Sequence, residues 1–276
     1  MIEMPEAITL ARQLNERVKG RSIVSAEAGH SPHKFAWYTG DPKGYAVLLG
    51  RRTIREARSA GGVVELGLSG DMTLFFNDGP ALRWHKPGAK LPDKHQLLLM
   101  LDDGSALTAS VLMYGGMQCF PEAAVENPYL TGSRQKPSPL SPGFTYEYFQ
   151  SLASGAKTRS LSAKAFLATE QRVPGLGNGV LQDILFNAGI HPKRKLDTLS
   201  GDEFALLWRV VVGTLREMTD KGGRDTESDL YGLPGGYPSI LSRNTVGTAC
   251  PRCGGTITKE AYLGGAVYYC AGCQKK

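Results

Sequence analysis

Residues 170–192 read Glu170-Gln-Arg-Val-Pro-Gly-Leu-Gly-Asn-Gly-Val-Leu-Gln-Asp-Ile-Leu-Phe-Asn-Ala-Gly-Ile-His-Pro192, and this stretch decides the fold. Its second half predicts a helix over Asn178–Ala188 that stops at Gly189. The first half removes side chains at Gly175 and Gly177, so backbone N–H groups at a helix start can approach an anion, with the Asn178 amide and Arg172 beside them. A tight helix–helix turn accounts for Pro174-Gly175 but not for the density of the pattern. Working outward, Thr145–Ala153, Ser162–Ala168 and Ser200–Lys221 carry helical periodicity, the last behind a Ser200-Gly-Asp-Glu203 capping box.

Downstream, Cys250-Pro-Arg-Cys253 and Cys270-Ala-Gly-Cys273 are two CxxC knuckles at a spacing that closes four thiolates around a structural Zn2+. Thr256–Thr258 and Ala266–Tyr269 read as short strands about a Gly264-Gly265 turn, giving a β-hairpin zinc finger. The fifth cysteine, Cys119, reads as core.

Upstream, apolar residues Ala7, Ala11, Leu14 and Val18 predict an amphipathic helix over Glu6–Gly20. Short β-type segments follow at Ser22–Ala28, Gly44–Leu49, Val63–Leu68, Thr73–Phe76, Leu82–His85, Gln96–Leu101, Leu107–Val111 and Met117–Phe120. Their spacing predicts an antiparallel sandwich, with Asn77-Asp-Gly79 and Asp102-Asp-Gly104 as hairpin turns. Glu126–Gly143, with proline at 128, 137, 139 and 142, reads as a linker. The expected class is α+β: an N-terminal helix and antiparallel β-sandwich over 1–126, a linker over 127–143, a helical unit over 144–240 and the finger over 241–276.

The 276 residues are 41% hydrophobic, which excludes disorder, and no run approaches the roughly 20 apolar residues of a membrane span. The amino terminus mixes acids and bases where a signal peptide has an apolar block, so a cytoplasmic protein is expected. A net charge of +6, from 32 Lys+Arg against 26 Asp+Glu, leans towards a polyanionic partner. The Lys193-Arg-Lys195 turn is one place for it. A metabolic enzyme finds no GxGxxG after a strand and no P-loop. His30 and His33 read as solvated loop residues, and no second metal site is expected.

In the glycine–asparagine loop, Ala188-Gly-Ile-His-Pro192, the four cysteines, the Met1-Ile-Glu-Met-Pro-Glu6 start, Lys94-His-Gln-Leu97 and Leu101-Asp-Asp-Gly104, the chain resembles the formamidopyrimidine-DNA glycosylase / endonuclease VIII family. The resemblance covers nearly the whole chain. It implies that residues 170–192 form a helix–two-turn–helix and that this element and the finger grip DNA across a cleft. It also implies a monomer working on damaged double-stranded DNA, nucleoid-associated in a bacterium, with no membrane partner.

The family's attacking amine is an N-terminal proline exposed after methionine removal, and Ile2 stands there; Met1 is expected to be retained before so large a residue. Glu3 matches the general acid/base, and Glu6 matches a second acidic position at the helix start. The family's hairpin lysine aligns with Gly62, its helix-inserting methionine with Asp78, its Arg-x-Phe wedge with Leu112-Met113-Tyr114 and its finger arginine with Gly265. Leu112, Met113 and Tyr114 serve equally as wedge or as strand core. Two classes of function stay open: a DNA-binding repair protein whose glycosylase/AP-lyase chemistry is impaired or altered, alongside a non-catalytic RNA- or nucleic-acid-binding adaptor; and an active glycosylase on an unusual lesion, using the Ile2 amine and Glu3.

Overall fold

The structure is a computed structural model that describes residues 1–125 and 127–276. Glu126, where the expected linker begins, lies outside the described residues. The chain opens with α1 (Met4–Val18), then β1 (Ile23–Ala28) and β2 (Ala36–Tyr38). A short helix, α2 (Tyr45–Leu49), comes next, where a strand was expected over Gly44–Leu49. Asp41 Oδ1 accepts from Lys43 N–H (2.9 Å) to start the turn, and the buried pair Tyr45 and Leu49 is spaced i,i+4, which a helix and not a strand puts on one face.

Next come β3 (Ile54–Ala60), β4 (Val63–Leu68), β5 (Met72–Asn77), β6 (Pro80–His85), β7 (Leu97–Leu101), β8 (Ala106–Val111) and β9 (Gly115–Pro121). They make two sheets, in the orders β1-β7-β8-β6 and β2-β9-β5-β4-β3. Pairing is antiparallel except between β2 and β9, which run parallel, a departure from the all-antiparallel expectation. Asp102-Asp103-Gly104 joins the paired strands β7 and β8 as expected. Asn77-Asp78-Gly79 does not make a hairpin, because β5 and β6 belong to different sheets. It is the crossing between them, with Asp78 at φ +69°.

The proline-rich stretch contains α3 (Pro128–Gln135), which packs Leu130 against Val63 and Phe75 and sends Arg134 to Glu65 (2.7 and 2.8 Å). The helical unit holds α4 (Tyr146–Leu152), α5 (Ala156–Arg159), α6 (Ala163–Ala168), α7 (Asn178–Asn187) and α8 (Gly201–Asp220), the last with the predicted Ser200/Glu203 capping box. The finger is the hairpin β10 (Ile257–Tyr262) and β11 (Gly265–Cys270). Cys119 is buried in the sandwich core.

One core fills the sandwich and another the helices. Helix α1 serves both, giving Leu10 and Leu14 to the first and Met4 to the second. It therefore carries the amino terminus into the groove between them.

Candidate functional site

The first three residues are pinned from two sides. Ile2 N–H donates to the Asp78 carbonyl (2.8 Å) at the sheet crossing, and Met4 N–H donates to the Gly175 carbonyl (2.9 Å) in the glycine loop. The Ile2 side chain is buried in the sandwich core, so the branched residue acts as an anchor. The Met1 ammonium pairs with Glu227.

Glu3 is the N-cap of α1, and its buried carboxylate accepts from Gly179 N–H (2.7 Å) and Val180 N–H (2.8 Å) at the first turn of α7. The helix start that was expected to face phosphate thus holds the chain's own carboxylate. The glycines make room for it. A Cβ on Gly177 would lie 2.7 Å from the Glu3 carboxyl carbon, and one on Gly179 would lie 1.6 Å from Arg224 Nη1. Gly179 was not singled out in the sequence, although the run Gly175-Leu-Gly-Asn-Gly179 carries the signal.

Arg224, also missed, is buried and clasps Glu6 through Nε (3.0 Å) and Nη2 (2.9 Å), with Nη2 lying 3.8 Å from Glu3. Burial pushes the Glu3 carboxyl up, helped by Glu6 and opposed by Arg224 and the two amides. Burial acts on Glu6 in the same sense, but the Arg224 guanidinium wins and holds Glu6 below the usual carboxylate range. The two neighbouring carboxyls thus shift in opposite directions, Glu3 up by burial and Glu6 down beside Arg224.

A cleft of roughly 640 Å3 opens beside these groups, and its lining includes Met1, Ile2, Glu3, Arg224, Arg243, Tyr268, Leu112, Met113 and Tyr114. Leu112 and Met113 are 84% and 70% exposed on the loop between β8 and β9. Strand core is ruled out for them. Tyr114 lies 6.1 Å from Trp37, ring to ring, and together they make an aromatic rim.

Several basic side chains already have partners within the chain. Arg172 Nη1 donates to the Thr169 carbonyl (3.3 Å) and hydroxyl (3.0 Å) and its Nη2 to Glu170 (2.5 Å), which closes the end of α6. Lys193 pairs with Glu260, Arg194 forks onto Glu203 (2.6 and 2.8 Å), and Lys195 Nζ donates to the Ser160 carbonyl (2.8 Å). Arg252 Nη1 donates to the Phe186 carbonyl (3.1 Å) at the end of α7. The Asn178 donor is used as well: Nδ2 gives its bond to the Ala266 carbonyl (3.0 Å) and ties α7 to the finger, while the buried Oδ1 has no partner among the described residues.

Beside that joint, the buried Lys164 donates from Nζ to the Tyr262 carbonyl (2.5 Å), and burial lowers its pKa. Its ammonium lies 3.5 Å from where a Cβ on Gly265 would sit. Sequence reading passed over Lys164, since a lone lysine two residues past a helix cap carries no signal of burial.

Among the described residues, Cys250, Cys253, Cys270 and Cys273 bring their sulfurs within 4.8 Å of one another. The pairs Cys250/Cys273 and Cys253/Cys270 are 3.7 and 3.4 Å apart. A thiolate tetrahedron with Zn–S near 2.3 Å has edges of about 3.8 Å, so the four residues fit the metal.

Residues 136–229 match the family model described as the formamidopyrimidine-DNA glycosylase H2TH domain. Along its whole length the chain is 30% identical to the whole formamidopyrimidine-DNA glycosylase of Lactobacillus delbrueckii subsp. bulgaricus. The chain belongs to the formamidopyrimidine-DNA glycosylase family. The Bacillus licheniformis family member is 28% identical, again with both chains covered in full. Among solved structures, Lactococcus lactis Fpg in complex with abasic-site DNA superposes with a TM-score of 0.83 at 23% identity, covering 99% of this chain and 100% of that one. Fpg from Thermus thermophilus gives a TM-score of 0.81 at 24% identity, covering 99% and 98%. The family fold therefore extends from the amino-terminal helix to the cysteine hairpin. Among the described residues no helix is long and apolar enough to cross a membrane.

Proposed function

We propose that the chain binds damaged double-stranded DNA in the cleft between sandwich and helices, and that the family's usual glycosylase/AP-lyase chemistry is impaired or altered in it. The observation that carries this reading is the state of Ile2. Its branched side chain is buried in the sandwich core, where the resemblance calls for an N-terminal proline. With Met1 retained, as expected before so large a residue, the Ile2 nitrogen stays an amide whose lone pair is delocalised and not offered to the sugar C1′.

The Gly62 position points the same way. A Cβ there would meet the Ile2 carbonyl oxygen at 3.2 Å, so the cationic arm is missing and its starting point is crowded. Zn2+, held by the four cysteines, would supply structure to the finger and thereby hold β11 against Asn178 and Gln182, whose side-chain nitrogens both donate to the Ala266 carbonyl (3.0 and 3.3 Å). Leu112 and Met113, exposed and apolar at the mouth, supply the surface that fills a vacated base position.

A second reading is favoured by the persistence of Glu3 with its raised pKa. If Met1 is removed, the Ile2 amine stands beside a competent general acid, and attack on an abasic sugar becomes possible. One experiment separates the two. The purified protein, with its intact mass measured, is mixed with abasic-site duplex in borohydride. The first reading expects retained Met1 and a mobility shift without a covalent adduct. An adduct that Glu3→Gln abolishes establishes the second, and no shift with either damaged or intact duplex removes both.

A further inference from the structure

Far from the cysteines, His95 sits in the loop before β7 and is 95% buried, its residue being 5% exposed. Its Nδ1 lies 3.1 Å from the Pro92 carbonyl oxygen, which can only accept, so that nitrogen carries the proton. The lone pair is therefore on Nε2. That atom is buried and has no hydrogen-bond partner among the described residues. A buried acceptor left empty forfeits the hydrogen bond it made to water, so the position calls for an explanation.

Near Nε2 lie a carboxylate and, stacked on the His95 ring, a second imidazole. Glu27 Oε2, at the end of β1, is 3.7 Å away, too long for a hydrogen bond, and Glu27 Oε1 is 2.9 Å from His30 Nδ1. The donor atoms of Glu27, His30 and His95 lie within 4.8 Å of one another. The 3.7 Å from Glu27 Oε2 to His95 Nε2 is close to the ligand–ligand edge of about 3.4 Å in a tetrahedral site with metal–N and metal–O near 2.1 Å.

We propose that Glu27, His30 and His95 form a second metal site, for a zinc-type divalent cation held by two imidazoles and one carboxylate with an open position for water. The Pro92 carbonyl is the outer partner that fixes the His95 tautomer, the arrangement that ligating histidines use. Rings of His30 and His95 are stacked at 4.5 Å and 11°. Two parallel rings cannot both aim in-plane lone pairs at one point, so the exposed His30 is the ligand that turns on binding. His33 is left out because its ring nitrogens do not join the cluster of donor atoms. The site lies at the root of the loop that carries Phe35 and leads to Trp37, so a bound cation would tether the segment that ends at the aromatic rim of the cleft.

The test is a metal count on the full chain, saturated with Zn2+ and passed through a desalting column, followed by titration with Co2+. Expected are two equivalents of zinc in the native protein and one in His30→Ala and in Glu27→Gln, both changes at exposed residues that leave the buried His95 in place. Cobalt should show thiolate charge-transfer absorption for one equivalent and none for the other. A single equivalent in the native protein overturns the site. So does a second equivalent that both variants keep.

Discussion

Replacing Gly179 by alanine separates a role in packing from a role in greeting an outside anion. The added Cβ would fall 1.6 Å from Arg224 Nη1 and 2.9 Å from Glu3 Oε1, so the guanidinium must leave its place. Arg224 is buried and is the charge partner of Glu6 and Glu3, and separating such a buried pair costs about 3–5 kcal/mol. At about 2–4 °C per kcal/mol for chains of this size, the melting temperature should fall by on the order of 10 °C. Gly213 supplies the control. It lies in α8, is exposed, and has nothing within 4 Å of a new Cβ, so Gly213→Ala should stabilise by about 1 kcal/mol through helix propensity. Differential scanning fluorimetry on the zinc-loaded protein reads both. An unchanged melting temperature in Gly179→Ala would refute the claim that these glycines exist to seat Arg224 and Glu3.

Glu6→Gln should flatten the acid limb of the stability profile. The folded-state pKa of Glu6 is held below its unfolded value, so its pairing with Arg224 contributes stability above the unfolded pKa and loses it as pH falls through the folded one. Chemical denaturation from neutral pH downward measures this, and an acid limb as steep in the variant as in the native protein would contradict the pairing. Serine at both Leu112 and Met113 should leave stability within about 0.5 kcal/mol, because both side chains are exposed. The same variant should weaken binding to abasic-site duplex by about tenfold, the scale of one lost stacking contact of about 1–3 kcal/mol. Equal affinity in a fluorescence-anisotropy titration at fixed salt would place the DNA elsewhere.

Sequence reading recovered those features whose cause is local. Helices α7 and α8 announce themselves by period and caps, and the cysteines by spacing. It missed β2, which has only three residues, and β3, whose Ile-Arg-Glu-Ala-Arg-Ser-Ala composition is polar and whose pairing with β4 shifts register between Ile54 and Glu56. A broken alternation hides a strand. The candidate site divides on the same line. Glu3 was legible through the resemblance, but that its carboxylate lies on the amides of Gly179 and Val180, 176 and 177 residues away, is a product of the tertiary fold. The glycine loop looked like a cradle for an external anion because local sequence does not record which anion fills it. Arg224 and Lys164 were silent for a related reason: a buried cation and a solvated one look alike until their partners are known.

The substitution at Gly62 takes on a different meaning once the interior is visible. Gly61 has φ +56°, and a Cβ there would meet Gly175 N at 2.8 Å; a Cβ on Gly175 would meet the Gly61 carbonyl carbon at 2.4 Å and Gly62 N at 2.6 Å. The β3–β4 turn and the glycine loop before α7 therefore touch backbone to backbone. Such an approach admits no side chain at Gly61 or Gly175, and only a crowded one at Gly62. Here the sandwich and the helical unit meet directly over Ile2 and Glu3. A lysine at Gly62 would have to grow from that crowded contact, and widening the contact would draw Gly175 away from Met4 N–H, the bond that holds the amino terminus in place. The missing cation and the buried Ile2 are thus two aspects of one arrangement, in which backbone and hydrophobic contacts at Gly61, Gly62, Gly175 and Ile2 close over the buried Glu3–Arg224–Glu6 cluster. The groups left to line the cleft beside it include Arg243 and the Leu112-Met113-Tyr114 loop, which is where the proposed DNA grip is to be tested.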